Sequence, residues 1–155
     1  MVVKPYIHGL LDKQQFGTYN KALSIVSFFM ILGSFGIYNF GVREISKVKE
    51  DKEKTANLFT NLFIFGTITN VISIALFILY VFLFVNNTQQ SIFYVMIIQL
   101  FGNAFYIEWI NEANENYGFI TKKTIFIRVL STVLIFLMVV KPSHTILYAI
   151  IMSVT

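Results

Sequence analysis

Residues 56–107, ANLFTNLFIFGTITNVISIALFILYVFLFVNNTQQSIFYVMIIQLFGNAFYI, contain no Asp, Glu, Lys, Arg or His. A helix rises about 1.5 Å per residue, so some 20 apolar residues cross a hydrocarbon layer about 30 Å thick, and this stretch is long enough to cross twice. The polar run NNTQQ at 86–90 does not belong in hydrocarbon and divides it. One span is therefore expected at 56–85, longer than a bilayer requires and so tilted or protruding, and a second at 91–110.

Working outward, Ala22 to Val42 is also free of charge and histidine, and with Thr18 to Lys21 it forms a span at 18–42. Gly33, Gly36 and Gly41 lie in its second half, at spacings that let another helix approach closely. Thr124 to Val140 is a fourth span, closed by Lys141 and by Pro142, which cannot continue a helical hydrogen-bond ladder. Residues 1–11 and 143–155 are apolar but short and read as partial helices, so both ends of the sequence look cut. The expected fold class is all-α and transmembrane: a single polytopic bundle of about four complete spans with partial helices at either end.

Composition supports the same class. Across 155 residues, 56% are hydrophobic and only 13% charged, against about 25% charged in soluble domains. There is no cysteine, which excludes a disulfide framework, a thiolate metal site and a thiol nucleophile. A formal charge of +4 raises the possibility of nucleic acid, but the basic residues sit in loops flanking spans rather than on one solvated surface, and no nucleic-acid partner is expected. Residues 1–11 lack a basic cluster followed by an apolar core, so they are not expected to be a secretory signal.

Basic residues in short loops set orientation. Arg43, Lys47, Lys49, Lys52, Lys54, Lys122, Lys123 and Arg128 fall on one side, against Lys13, Lys21 and Lys141 on the other. That imbalance places the loops at 43–55 and 111–124 in the cytoplasm. The loop REISKVKEDKEKT at 43–55 holds most of the charge and reads as a solvated amphipathic turn or two.

No catalytic pattern is found. There is no phosphate-binding Gly-rich loop, HExxH or GxSxG, and His8 and His144 are isolated. No enzymatic activity, catalytic residue, metal ligand or cofactor is expected. The informative polar residues lie where spans end. Glu108, in the aromatic stretch Phe105-Tyr106-Ile107-Glu108-Trp109, fits two readings: an acid lining a cavity, or an interfacial carboxylate hydrated beside an aromatic belt. Glu108, Glu112 and Glu115 fall on one helix face at i, i+4 and i+7, with Lys122, Lys123 and Arg128 as compensating charges. Arg43 follows Gly41 at the mouth of its span, where it either fixes topology or contacts a phosphate.

Two blocks carry a family resemblance. FGTYNKALSIVSFFMILGSFGIYNFGVREISKVKEDKEK at 16–54 resembles the start of Wzx-type polysaccharide flippases in Phe16-Gly17, Tyr19-Asn20, Gly36, Gly41, Arg43, Glu44 and Ile45. YIEWINEANENYGFITKKTIFIRVLSTVLIFLMVVKPSHTILYAI at 106–150 is similar to a later block in Glu108, Trp109, Asn111, Glu115, Tyr117, Ile120, Thr121 and Arg128. In the first loop this chain reads His8-Gly9-Leu10-Leu11-Asp12, where the family often carries Arg and Leu-Gly.

The resemblance implies a dozen or more helices in two bundles around a central cavity, of which these residues cover most of the first. It implies a flippase of the bacterial cytoplasmic membrane, turning undecaprenyl-diphosphate-linked oligosaccharides between leaflets for capsule, O-antigen or related polymers. The implied partners are the lipid bilayer, that lipid-linked oligosaccharide, and a polysaccharide polymerase and glycosyltransferases. Arg43 and Arg128 suit a diphosphate, Trp109, Tyr106 and Tyr117 suit sugar faces, and Glu108, Asn111 and Glu115 complete the candidate substrate site. Two alternatives stand beside it: a multidrug or metabolite exporter of the same superfamily, and a non-transporting membrane scaffold. A cation-coupled exporter would bury an acid deep in an early helix, and residues 22–42 have none.

Overall fold

The computed structural model describes residues 3–154; Met1, Val2 and Thr155, in the two expected partial helices, and the side chains of Val3, Lys4, Pro5 and His8 lie outside the described residues. All regular structure among the described residues is helical: α1 Val3–Leu10, α2 Lys13–Ser34, α3 Ile37–Val48, α4 Lys52–Phe84, α5 Asn87–Val95, α6 Ile97–Ala104, α7 Glu108–Ala113, α8 Tyr117–Met138 and α9 Thr145–Ser153. Three stretches are long and apolar enough to cross a membrane: Lys13–Val48, Lys52–Phe84 and Asn87–Ala113. The protein is an all-α polytopic membrane protein. Most of the fourth expected span, 124–140, falls in α8, which ends at Met138, carries Lys122, Lys123 and Arg128, and is not one of those three stretches.

Several helices begin earlier or run further than hydropathy suggests, because capping rather than apolarity sets their ends. Asp12 starts α2 by accepting from the backbone N–H groups of Gln14 (2.9 Å) and Gln15 (3.0 Å), so that residues 13–16, expected as loop, are helical. Asp51 likewise accepts from Lys54 N–H at 3.1 Å and starts α4 inside the charged segment. That segment is therefore the end of α3, a tight turn and the first turn of α4. At 33 residues α4 is about 50 Å long, and its charged N-terminal turn extends past its apolar part.

The 18–42 span is two helices. At Phe35 (φ 43°) and Gly36 (φ 75°) the chain passes through left-handed conformation, α2 stops and α3 sets off anew. The third stretch breaks as well, at Phe105–Ile107 between α6 and α7. The interior divides accordingly. A larger apolar cluster gathers Val26, Phe29, Phe77, Phe93 and Leu100 with α1 and α9. A smaller one joins Ile45 of α3 to Trp109 and Ala113 of α7, with Leu58, Phe59 and Leu62 of α4 against it. α4 is the continuous element linking the two, while α8 packs on α7 and α9 at the margin. The outer face of α4 exposes Ile64, Ile68, Val71, Ile72, Leu79 and Phe82, which in a bilayer is the lipid-facing side.

Candidate substrate cavity

The end of α2 leaves the Gly33 carbonyl without a helical partner, and α4 supplies one; further side chains of α4 and α6 reach the carbonyls of Phe29 and Met30 within the helix. Gly33 C=O accepts from Thr69 Oγ1 (2.6 Å) and Asn70 Nδ2 (3.1 Å), and Phe29 C=O accepts from Ser73 Oγ (2.5 Å). Asn103 of α6 donates through Nδ2 to Asn70 Oδ1 (2.9 Å) and to Met30 C=O (3.4 Å). An amide in hydrocarbon needs such partners, and these join α2, α4 and α6 at one level. Beside them lies a small void of about 40 Å³ bordered by Tyr38, Asn70, Asn103 and Trp109, with room for water but none for a sugar.

On the other face of α6 opens a cavity of about 460 Å³ between α6, α7, α8 and α9. Gln99 and Asn103 line one wall, Tyr106 and Glu108 the end, and Lys123 and Arg128 the opposite wall. Glu108 is largely covered, its side chain 13% exposed. Its Oε2 accepts from the Tyr106 hydroxyl at 2.5 Å, while Lys123 Nζ stands 3.0 Å from Oε1, off hydrogen-bond geometry. Arg128 has no carboxylate within 4.0 Å among the described residues, so the three charged groups leave one net positive charge on the cavity wall. The arrangement suits an anionic group at Arg128 and Lys123, with the Gln99 amide as donor and acceptor and the Asn103 and Tyr106 oxygens as acceptors for hydroxyls, since the donors of those two are already engaged.

The candidate residues fall in different places. Glu108 and Arg128 line the cavity together. Arg43 lies on α3, exposed, paired with Glu44 (2.8 Å) and placed over the Phe40 ring. Trp109 of α7 is buried against α3 and α4, tilted against Phe59, and borders only the small void. Asn111 is half-buried in α7, and its carbonyl accepts from Asn116 N–H at 2.8 Å. Glu115 lies beyond the end of α7, with φ 58°, and pairs with Lys49 at 2.7 Å. The face expected for Glu108, Glu112 and Glu115 forms only in part: Glu108 and Glu112 lie one turn apart in α7, which stops at Ala113 before Glu115. Each carboxylate has its own partner instead: Tyr106 and Lys123 for Glu108, the Tyr38 hydroxyl for Glu112 and Lys49 for Glu115.

Lys123, Gln99 and Asn103 enter the cavity without having been singled out as substrate residues. Lys123 was legible only as a compensating charge; the signal for Asn103 was an amide inside an uncharged span, which marks an interhelical contact or a cavity wall alike.

Fold and cavity define a polytopic α-helical membrane protein with a polar, net-positive chamber between helices. A model of the family described as polysaccharide biosynthesis protein matches residues 1–155, and the chain belongs to that family. No curated protein and no solved structure matches it.

Proposed function

We propose that this chain forms most of the first bundle of a flippase that moves undecaprenyl-diphosphate-linked oligosaccharides across the bacterial cytoplasmic membrane, with the Arg43–Thr55 end cytoplasmic. The observation that carries the reading is the cavity between α6 and α8, where Lys123 and the unpaired Arg128 face Glu108, Tyr106 and two amides. A diphosphate needs positive donors, and a sugar needs amide and hydroxyl partners; Lys123 and the exposed Arg128 are of the first kind, and Gln99, Asn103 and Tyr106 of the second. Family membership in polysaccharide biosynthesis supports it. Nothing in the proposed step is covalent, so no catalytic residue is required, and the basic excess at the Arg43–Thr55 end supports the orientation. The polymerase and glycosyltransferases remain the proposed partners.

The reading is tested by complementation of a flippase-null strain with the full-length protein. Lys123→Gln combined with Arg128→Gln should lower surface polymer about tenfold or more, since each charge-assisted contact is worth about 1.5–3 kcal/mol. Lys54→Gln, on an exposed side chain outside the cavity, should leave it unchanged. Normal polymer in the double variant, at normal protein level, would sink the assignment.

A further inference from the structure

The charged cavity does not end in polar surroundings. At Ile127 and Val154 it continues into a groove of about 430 Å³ between α8 and α9, walled by Leu130, Leu134, Ile150 and Ile151 and almost wholly apolar. The change of character follows one face of α8. Lys123, Thr124, Ile127 and Arg128 belong to the cavity and Leu130, Ser131 and Leu134 to the groove. From Lys123 to Leu134 the helix rises about 16 Å. We propose that the α8–α9 groove receives the head-proximal part of an isoprenoid chain whose anionic head occupies the adjoining cavity.

The proposal rests on the functional reading above and adds a place for the tail. Two features single this groove out from the other apolar surface. The outer face of α4 exposes more large hydrophobic side chains, but that surface does not border the cavity holding Lys123 and Arg128. A bilayer lipid gains nothing by leaving its neighbours for an apolar groove, because lipid tails are as apolar as Leu. A chain tethered to a head held at Arg128 is different, since the tether brings it to Ile127 and onward to Leu134. The groove therefore sets the direction of the chain, and with it the register of the head against Glu108 and Tyr106, more than it adds affinity. A further helix of the protein laid on α8 and α9 is the competing occupant, and it would shut the chain out.

Two photoreactive probes test the proposal on the full-length protein in nanodiscs. Both are polyprenyl diphosphates, one with a diazirine in its first isoprene units and the other with a diazirine at the terminal phosphate. The tail probe should give adducts in residues 130–134 and 150–154 well above those on the outer face of α4, and the head probe in residues 99–108 and 123–128. Leu134→Trp should reduce tail adducts about threefold, the size of one lipid-embedded contact, and leave head adducts in place. Tail adducts spread evenly over α4, or missing from α8 and α9, with head adducts retained would overturn the groove and leave the functional reading intact. Loss of head adducts as well would overturn both. The wild-type adduct map decides between these outcomes even where the Trp variant does not fold.

Discussion

Trp109 lies so close to Gly41 that a methyl group at residue 41 would stand 2.6 Å from its Cε3 and 3.0 Å from Cδ2. Replacing Gly by Ala inside a helix ordinarily stabilises by about 0.5–1 kcal/mol, whereas forcing a methyl into packed surroundings costs about 1–3 kcal/mol. The clash wins, and Gly41→Ala should destabilise the α3–α7 pair by about 1 kcal/mol, measured as a shift in the denaturant midpoint of the detergent-solubilised protein. At the opposite extreme is the exposed Lys49–Glu115 pair, where the ammonium beside Glu115 holds its carboxyl below the usual carboxylate range. A carboxyl lowered in the folded state contributes stability that is complete above its unfolded value and disappears as pH falls through the lowered one. Below about pH 4, the ordinary carboxylate range, the α3 to α7–α8 contact should loosen. Glu115→Gln should abolish that acid-dependent part and little else; an unchanged acid profile would count against the pair.

Among single residues, Glu108 stood out as a candidate because charge at the end of a span is costly and conspicuous, whereas Arg128 read only as a compensating charge until the resemblance suggested a diphosphate. Trp109 was equally conspicuous, yet an indole serves a helix–helix contact as readily as a sugar, and nothing in its neighbourhood of sequence distinguishes the two. The Lys49–Glu115 pair was illegible because it joins residues far apart in sequence through a turn at φ 58°.

At the scale of elements, hydropathy locates what lies in the membrane and is silent about where a helix breaks within it. Gly33, Gly36 and Gly41 read alike as packing glycines. Gly33 and Gly41 do admit close neighbours, Asn70 and Trp109, whereas Gly36 has open space around it and serves the left-handed turn. A β-branched residue is strained at that φ, by roughly 1–2 kcal/mol, while Asn tolerates it. Gly36→Val should therefore destabilise by about that amount and Gly36→Asn by clearly less, both read from thermal unfolding in detergent; equal effects would show that the turn does not depend on glycine. The amide network that secures the break is a second test. Asn70→Leu removes bonds to Gly33, Gly66 and Asn103, and at about 0.6 kcal/mol for each lipid-embedded bond the loss should total about 1–2 kcal/mol. A double-mutant cycle with Asn103→Leu should show the two residues coupled.

For the whole molecule, the two broken stretches and the continuous α4 produce two apolar clusters rather than one, with the smaller built on α3 and α7. The all-α membrane class was readable from the sequence, because the uncharged run at 56–107 is apolar over helix-spanning lengths and lacks the short alternating segments of a barrel. The cavity was not, because it is assembled from α6, α7, α8 and α9, whose relative placement no local pattern encodes. Its being watered and open to a lipid-linked saccharide is the claim on which the functional account stands. The direct measurement uses single replacements Gln99→Cys and Thr124→Cys in the cavity and Ile64→Cys on the outer face of α4, in membrane vesicles of the full-length protein with any cysteine outside residues 1–155 changed to serine, treated with a water-soluble maleimide; residues 1–155 themselves contain none. The account predicts labelling at 99 and 124, none at 64, and protection at 99 and 124 by added undecaprenyl-diphosphate-linked oligosaccharide; labelling that ignores the lipid-linked saccharide, or cavity positions as silent as residue 64, would contradict it.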